Sequence, residues 1–109
     1  MIRARLGPRA GQDLEGIFNF IADDNSDAAE LVRLTILNTA DLLAGNPGIG
    51  RRIFGASARH SEIRRLVVPK HRNYLIFYRP FHDTIMVVRI LNAAQDWRRF
   101  FPASRTPTG

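Results

Sequence analysis

The sequence predicts an α+β fold in which an antiparallel helical hairpin packs on one face of a small, mainly antiparallel four-stranded sheet. Two observations support this prediction. The first half of the 109-residue chain holds two apolar patterns at helical spacing, and the second half holds three short apolar runs typical of strands. Helices followed by strands favour an architecture in which the two element types form separate layers. The length fits one small domain.

A short strand and a helix open the chain. Residues 2–6 alternate apolar side chains with arginines, which is typical of a half-buried strand. Gly7-Pro8 ends this strand, and proline suits the first helical position because its missing N–H is not needed there. Asp13 and Glu15 lie early in the helix, where carboxylates favour the helix dipole. The apolar residues form one narrow stripe: Leu14, Ile17, Phe18 and Ile21.

The second helix follows a turn and cap cluster at residues 23–26. Ser26 is the predicted N-cap, with Asp27 in the first turn. The helix is expected to run to about Ala44 and to end at Gly45-Asn46-Pro47-Gly48, because glycine and proline stop helices. Since the loop between the two helices is short, they are expected to form an antiparallel hairpin.

The second helix carries two apolar groups that lie on different sides of its cylinder. One group falls together at about 100° per residue and is the predicted core stripe. Its members are Ala29, Val32, Ile36, Ala40 and Leu43. The other group is Leu31, Leu34 and Leu42. This second group either packs internally, because the helix contacts both the sheet and the first helix, or forms a face for a partner. The two interpretations are compatible.

Three later strands complete the predicted sheet, at residues 63–68, 74–79 and 85–91. The last of them is apolar on both faces except at Arg89, so we expect it inside the sheet. The first strand then joins at an edge or beside the last strand. The face of the sheet that the helices leave uncovered is expected to present arginines.

The remaining segments are predicted to be connections and ends. Residues 45–61 form a long exposed connection, and Pro80–Thr84 form a hairpin turn. Residues 92–101 form a short terminal helix. A single domain therefore spans residues 1–101, and residues 102–109 form a flexible tail.

The net charge of +6 is unevenly distributed. Acidic residues crowd the first half of the chain, whereas only Glu62, Asp83 and Asp96 follow residue 50, among many arginines. The second half should therefore carry a positive face that attracts nucleic acid or an acidic protein. Codon bias in a GC-rich genome would explain the choice of arginine over lysine, but it explains the asymmetry less well.

Several classes of protein are not favoured. The chain has no cysteine, hence no disulfide framework and no thiolate metal site. No secretory signal and no membrane-spanning apolar run are visible, so a cytoplasmic location is expected. The glycine-rich segment at residues 45–50 lacks the lysine of a phosphate loop, and His60, His71 and His82 lack metal-ligand spacing. We therefore expect no metal and no cofactor, and a hydrolytic triad is not favoured.

The remaining chemistry is an arginine-studded sheet with nearby polar groups: Lys70, His71, Tyr74 and Tyr78. Such a set can cleave RNA by general acid–base chemistry with charge stabilisation at the phosphate. It can equally clamp an acidic protein or a nucleic acid without chemistry. Arg89, inside an apolar strand, is either functional or structural, in which case it bridges to Asp96 or to a backbone carbonyl.

The order of several short motifs resembles the ParE branch of the RelE/ParE toxin superfamily, over roughly residues 1–97. The motifs are Ile21–Asn25 before an Ala-Ala helix, Leu42–Gly50, Arg72–Tyr74 with Ile76–Arg79, and Val88–Leu91. Asn92 and Gln95 depart from the family pattern, which commonly has His and Arg there, whereas Asp96 keeps it.

The resemblance implies the toxin of a bacterial type II toxin–antitoxin pair, associated with plasmid stabilisation and growth arrest. Toxins of the ParE kind are similar to known inhibitors of DNA gyrase. The alternative is a ribosome-dependent mRNA endoribonuclease of the RelE kind. Leu75 stands where those enzymes have a basic residue, and Phe100 and Phe101 lack the hydroxyl of their C-terminal tyrosine. No catalytic residue is therefore assigned. A third possibility, a plain nucleic-acid-binding module, predicts no growth arrest.

Two sets of site residues follow. The predicted target-binding residues are Arg64, Arg65, Arg72, Arg79, Arg89, Asp96, Arg98 and Arg99. The predicted antitoxin-binding residues are Leu31, Leu34 and Leu42. The expected partner is a ParD-like antitoxin, encoded nearby, with an acidic segment that folds on binding.

Overall fold

The computed structural model describes residues 3–53 and 62–102. The elements are β1 (Arg5–Leu6), α1 (Pro8–Ala22), α2 (Ser26–Gly45), β2 (Arg51–Arg52), β3 (Arg64–Val67), β4 (Tyr74–Phe81), β5 (Thr84–Asn92) and a terminal 3-10 turn (Trp97–Phe100). The strands form one sheet in the order β1-β5-β4-β3-β2, and only the β1–β5 pair is parallel. The predicted α+β class and the mainly antiparallel sheet are confirmed.

The sheet has five strands in the described residues, where the sequence predicted four. The additional strand, β2, pairs antiparallel with β3 and lies inside the connection predicted over residues 45–61. Two arginines are too short a run to show any alternation, so the sequence pattern does not indicate this strand. The rest of that connection, residues 54–61, lies outside the described residues, as do residues 103–109 of the predicted tail.

Helix α1 begins at Pro8 as predicted, with Gly7 as an extended N-cap. Ala10 and Leu14 are buried, and Ile17 and Ile21 pack partly against the same core. A side chain on Gly7 would meet the carbonyl oxygen of Val87 at 3.2 Å, so glycine permits the close passage of the chain over β5.

The prediction of Ser26 as the N-cap of α2 is wrong. Asn25 caps the helix, because its side-chain oxygen accepts a hydrogen bond from the Ala28 N–H at 3.0 Å. All five residues of the predicted core stripe of α2 are buried. Leu31, Leu34 and Leu42 are exposed by 63%, 43% and 54%, so this group lies outside the core. No helix in the described part of the chain is long and apolar enough to cross a membrane.

The sheet separates two apolar cores. On the helix side, residues such as Ile36 and Leu43 of α2 pack with Ile76 of β4 and Ile90 of β5. The face that the helices leave uncovered does present arginines, as expected, but it is not bare. A second, smaller core covers it in part, formed by Ile53, Ile63, Leu75, Phe77, Leu91, Trp97 and Phe101.

Tyr78 fixes the connection from α2 to β2. Its buried hydroxyl donates to the Pro47 carbonyl oxygen and accepts from the Gly50 N–H, both at 2.8 Å. A Cβ at Gly50 would overlap this hydroxyl and lie 2.9 Å from the Arg65 carbonyl oxygen, so only glycine fits. Burial raises the pKa of Tyr78, while the Gly50 N–H and Arg64 oppose the shift.

The β4–β5 hairpin is tighter than predicted. Its strands continue to the Phe81–Thr84 pair, and only His82 and Asp83 remain in the turn, where His82 takes a positive φ of 54°. The short terminal helix predicted over residues 92–101 is present but covers fewer residues. Only Trp97–Phe100 is helical, as a 3-10 turn. Asn92 instead begins a turn, because its N–H donates to the Gln95 side chain at 3.1 Å.

Candidate functional site

A β-bulge in the central hairpin sets the geometry of the site. Phe77 pairs with Arg89, whereas the next residue, Tyr78, pairs with Val87, which leaves Val88 without a residue opposite it. Such an extra residue bends a strand and re-aims the side chains beside it. Val88 and Arg89, although consecutive, accordingly line the same cavity.

Arg89 is held by Asp13 of α1. Arg89 Nε and Nη2 donate to the two carboxylate oxygens at 2.8 and 3.0 Å, and Oδ2 also accepts from the Ile90 N–H at 3.0 Å. Both side chains are only about 15% exposed. The predicted structural partners, Asp96 or a backbone carbonyl, are therefore wrong. Asp13 lies beyond the first turn of α1, and it binds β5 rather than serving the helix dipole.

Aromatic rings of the 3-10 turn order four of the predicted arginines. The guanidinium carbons of Arg89 and Arg99 lie 4.5 and 4.9 Å from the ring centre of Phe100. Those of Arg65 and Arg98 lie 5.4 and 4.4 Å from the centre of Trp97. Cation–π contacts of this kind restrict the guanidinium groups but leave their N–H edges available.

Trp97 is part of the second core, and Phe100 packs against it. Trp97 and Phe101 lie 5.2 and 4.8 Å from Phe77, measured between ring centres. Arg65, Phe77 and Arg89 form one row across three strands, so their side chains share this face of the sheet. We call Arg65, Arg89, Arg98 and Arg99, with their two rings, the arginine–aromatic surface.

The other predicted target-binding residues lie apart from that surface or at its margin. Arg64 points to the helix side, where its Nη1 donates to the Gly50 carbonyl oxygen at 2.8 Å. Arg72 is exposed in the turn before β4, and Asp96 is exposed at the start of the 3-10 turn. Arg79 lies within β4, near Phe81, and lines a cavity together with Arg89.

That cavity contains an arginine that sequence reasoning missed. It has a volume of about 480 Å³ and is lined by Arg9, Ile63, Arg79, Val88, Arg89, Phe100 and Phe101. No carboxylate lines it. Arg9 belongs to the first turn of α1, and no local pattern connects it with residues of β4 and β5. We call this space the arginine cavity.

Few acids neutralise the basic face. Over residues 3–53 and 62–102 the ion pairs are Glu30–Arg33 within α2 and Asp13–Arg89. The hydrogen bond from Arg33 holds the pKa of Glu30 below its usual range, so that pair is internally balanced. Arg65, Arg98 and Arg99 have no acidic partner among the described residues. They give the arginine–aromatic surface a positive potential.

The tyrosines do not join the arginines. Tyr74 and Tyr78 belong to the helix-side core, and the hydroxyl of Tyr78 donates its only proton to Pro47 and accepts from Gly50. The aromatic residues that do reach the arginine–aromatic surface carry no hydroxyl. Within the described ranges no cluster of three metal-ligating side chains occurs. The arrangement suits recognition of an anion better than acid–base chemistry.

Fold and surface together define a class: a small α+β protein whose sheet carries a basic, aromatic-backed face. The sequence profile described as "ParE toxin of type II toxin-antitoxin system, parDE" matches residues 4–97, and the chain belongs to this family. It is the toxin component of a type II toxin–antitoxin system, whose partner is a cognate ParD antitoxin.

Comparison with solved structures agrees on the fold. The structure titled "Chromosomal ParDE TA system from P. aeruginosa" is similar, with a TM-score of 0.64 and 20% sequence identity. The alignment covers 84% of this chain and 96% of that chain. Comparison with curated protein sequences gives no match.

Proposed function

We propose that this toxin inhibits DNA gyrase by binding it, without catalysis of its own, through the arginine–aromatic surface. One observation carries the proposal. Four arginines are ordered on Trp97 and Phe100, and three of them have no acidic partner among the described residues. Ordered cations lose less side-chain entropy when a partner binds, which favours tight and specific contact with an acidic surface. Toxin, antitoxin and gyrase are expected to meet in the bacterial cytoplasm.

The separation of tyrosines from arginines speaks against the alternative, a ribosome-dependent mRNA endoribonuclease. Cleavage of RNA needs a proton donor and acceptor within hydrogen-bond reach of the scissile phosphate. Tyr78 faces the helices, and its raised pKa makes its proton harder to remove at neutral pH. Phe100 and Phe101 provide no hydroxyl at the face where the arginines lie.

Induction of the toxin in bacteria separates the two activities. We expect growth arrest with double-strand DNA breaks trapped by gyrase, while primer extension shows intact mRNA. New cleavage sites in mRNA at ribosome-phased positions, without DNA damage, would refute gyrase inhibition. No growth arrest at all would favour a plain nucleic-acid-binding module.

The antitoxin is proposed to cover the exposed leucines of α2. Leu31, Leu34 and Leu42 are separated from the core stripe around the helix and lie in solvent. Exposed apolar side chains at helical spacing suit an amphipathic helix laid along the hairpin. An acidic stretch in the same antitoxin segment would be drawn to the basic sheet face and would accelerate association.

The substitution Leu34→Glu tests this placement. We expect antitoxin binding to weaken by at least ~2 kcal/mol, the scale of an interface hot spot, because a charge would be buried in an apolar contact. The toxin should remain folded, since this side chain is 43% exposed. Isothermal titration calorimetry with the antitoxin measures the loss.

Asn19→Glu provides the matched control, because it adds the same charge at an exposed position of the other helix. Its affinity should stay within about 0.5 kcal/mol of the unmodified toxin. Normal binding by Leu34→Glu, or unfolding of the toxin, would show that the leucines are not the antitoxin surface.

A further inference from the structure

The arginine cavity brings together three cations from distant parts of the chain. Arg9 comes from α1, Arg79 from β4 and Arg89 from β5, and no acid lines the space between them. Asp13 balances the charge of Arg89 from outside the cavity, which leaves Arg9 and Arg79 without a compensating acid among the described residues. An anion bound between these two arginines would reduce their repulsion. The volume of about 480 Å³ lies in the range of sites that bind small groups.

The three guanidinium groups retain unused donors. Asp13 occupies Nε and Nη2 of Arg89, but Nη1 has no acceptor among the described residues. Arg79 makes one hydrogen bond, from Nη1 to the Pro80 carbonyl oxygen at 3.2 Å. Arg9 makes none within residues 3–53 and 62–102. Guanidinium forks match the oxygens of a phosphate, and their charge persists at every physiological pH.

The surroundings of the arginine cavity favour a chain of anions over a single one. Arg99 stacks on the same Phe100 ring as Arg89, and Arg65 and Arg98 continue the positive surface across Trp97. Because arginines already contact Phe100 and Trp97, these rings are not free to stack on bases. Contact with a nucleic acid would therefore be to its backbone and would not depend on sequence.

We propose that the arginine cavity binds a backbone phosphate of DNA. The choice of DNA rests on the proposed function, because gyrase acts on DNA and a toxin on that enzyme would meet the bound duplex. The phosphate would lie between Arg9, Arg79 and the free edge of Arg89, while the arginine–aromatic surface faces the phosphates that follow. Asp13 fixes the orientation of Arg89 for this contact.

Fluorescence anisotropy with a labelled duplex of about 20 base pairs tests the site in the absence of gyrase. Arg9→Gln and Arg79→Gln should each weaken binding about fivefold and reduce the salt dependence of the affinity by about one ion. Neither side chain has an ion partner among the described residues, so both variants should fold. Arg33→Gln removes the same charge from α2, on the helix side of the sheet, and should bind like the unmodified toxin.

Three results would overturn the proposal. Equal losses in all three variants would show unspecific attraction to the net charge. Absence of DNA binding would exclude the phosphate contact. If Arg9→Gln and Arg79→Gln lose binding to a glutamate-rich peptide but bind DNA normally, the ligand of the cavity is an acidic protein.

The anisotropy measurement contains only toxin and DNA, whereas gyrase inhibition is read from DNA breaks in induced cells. Gyrase-trapped breaks by an Arg79→Gln toxin at the unmodified level, together with unchanged DNA binding, would refute the cavity alone. A different outcome is also possible: Arg79→Gln loses DNA binding, and the unmodified toxin produces no gyrase-trapped breaks. This outcome would support the phosphate site in the cavity and refute gyrase as the target.

Discussion

The two faces of the sheet are built differently. On the helix side, α1 and α2 close over β4 and β5, and Ile76, Ile85 and Val87 are fully buried. On the other side, a four-residue turn supplies the cover, and arginines surround its rings. We call the helix-covered side the thick face and the side under the 3-10 turn the thin face. The thick face can supply most of the folding free energy, because it holds the larger apolar core. The thin face can then carry unpaired charge while the protein stays folded.

The same strands serve both faces because side chains alternate along a strand. Tyr74, Ile76 and Tyr78 point to the helices, whereas Leu75 and Phe77 point to the 3-10 turn. A substitution in β4 therefore tests one face without directly touching the other.

Ile76→Ala should be the most damaging change, because it leaves a cavity in the thick face. Removing a fully buried isoleucine side chain there is expected to lower the free energy of unfolding by about 3–4 kcal/mol. Urea denaturation followed by circular dichroism measures this loss. Leu42→Ala, at a residue 54% exposed, should change it by less than about 0.5 kcal/mol. Similar losses in both variants would contradict the placement of Ile76 inside the helix-side core and of Leu42 outside it.

Asp13→Ala should cost about 2 kcal/mol, because it leaves Arg89 charged, largely buried and without its partner. Arg89→Ala should cost a similar amount, and the double variant should cost less than the sum by about 1–2 kcal/mol. Denaturant unfolding of the four proteins gives this coupling energy. Additive losses would show that the Asp13–Arg89 ion pair contributes no coupling energy between α1 and β5.

Tyr78→Phe should lower the free energy of unfolding by about 1–2 kcal/mol at neutral pH, because Pro47 and Gly50 lose a buried partner. Since burial raises the pKa of Tyr78, the folded state prefers the neutral phenol. The corresponding stability is present below about pH 10 and is lost as pH rises through the folded pKa.

Phenylalanine cannot ionise, so the stability difference between Tyr78→Phe and the unmodified protein should narrow at alkaline pH. Thermal unfolding between about pH 8 and about pH 11 measures this convergence. Tyr74→Phe is the control, because no described residue bonds the Tyr74 hydroxyl, and it should cost less than about 0.5 kcal/mol. If the stability difference between the two proteins instead grows with pH, folding lowers the pKa of Tyr78 and does not raise it.

Arg98→Gln should have the smallest effect on stability and a large effect on activity. Its exposed stack on Trp97 is worth about 0.5–1 kcal/mol. We nevertheless expect much weaker growth arrest on induction, since the charge belongs to the arginine–aromatic surface. Arg33→Gln changes the net charge equally and should retain toxicity. If both variants are fully toxic at equal expression, the thin face does not bind the target.

Local patterns were sufficient for the two helices and for the core stripe of α2. The spacing of Ala29, Val32, Ile36, Ala40 and Leu43 depends only on the period of a helix, and all five are buried. Leu31, Leu34 and Leu42 fall off that stripe for the same reason. The family resemblance also came from ordered local motifs, and the matched profile over residues 4–97 confirms it. The roles of the site residues in target and antitoxin binding stay predictions.

From the sequence alone follow the two helices, the strands other than β2, the core stripe of α2 and the accumulation of positive charge in the second half. These properties depend on neighbours within a few positions of one another. Tertiary structure alone decided that Asp13 binds Arg89, that Arg9 joins Arg79, and that the 3-10 turn covers the second face. The ion pair joins residues 76 positions apart, and one bulged residue re-aims the arginine. No local pattern encodes such a contact, because it exists only once the layers have packed.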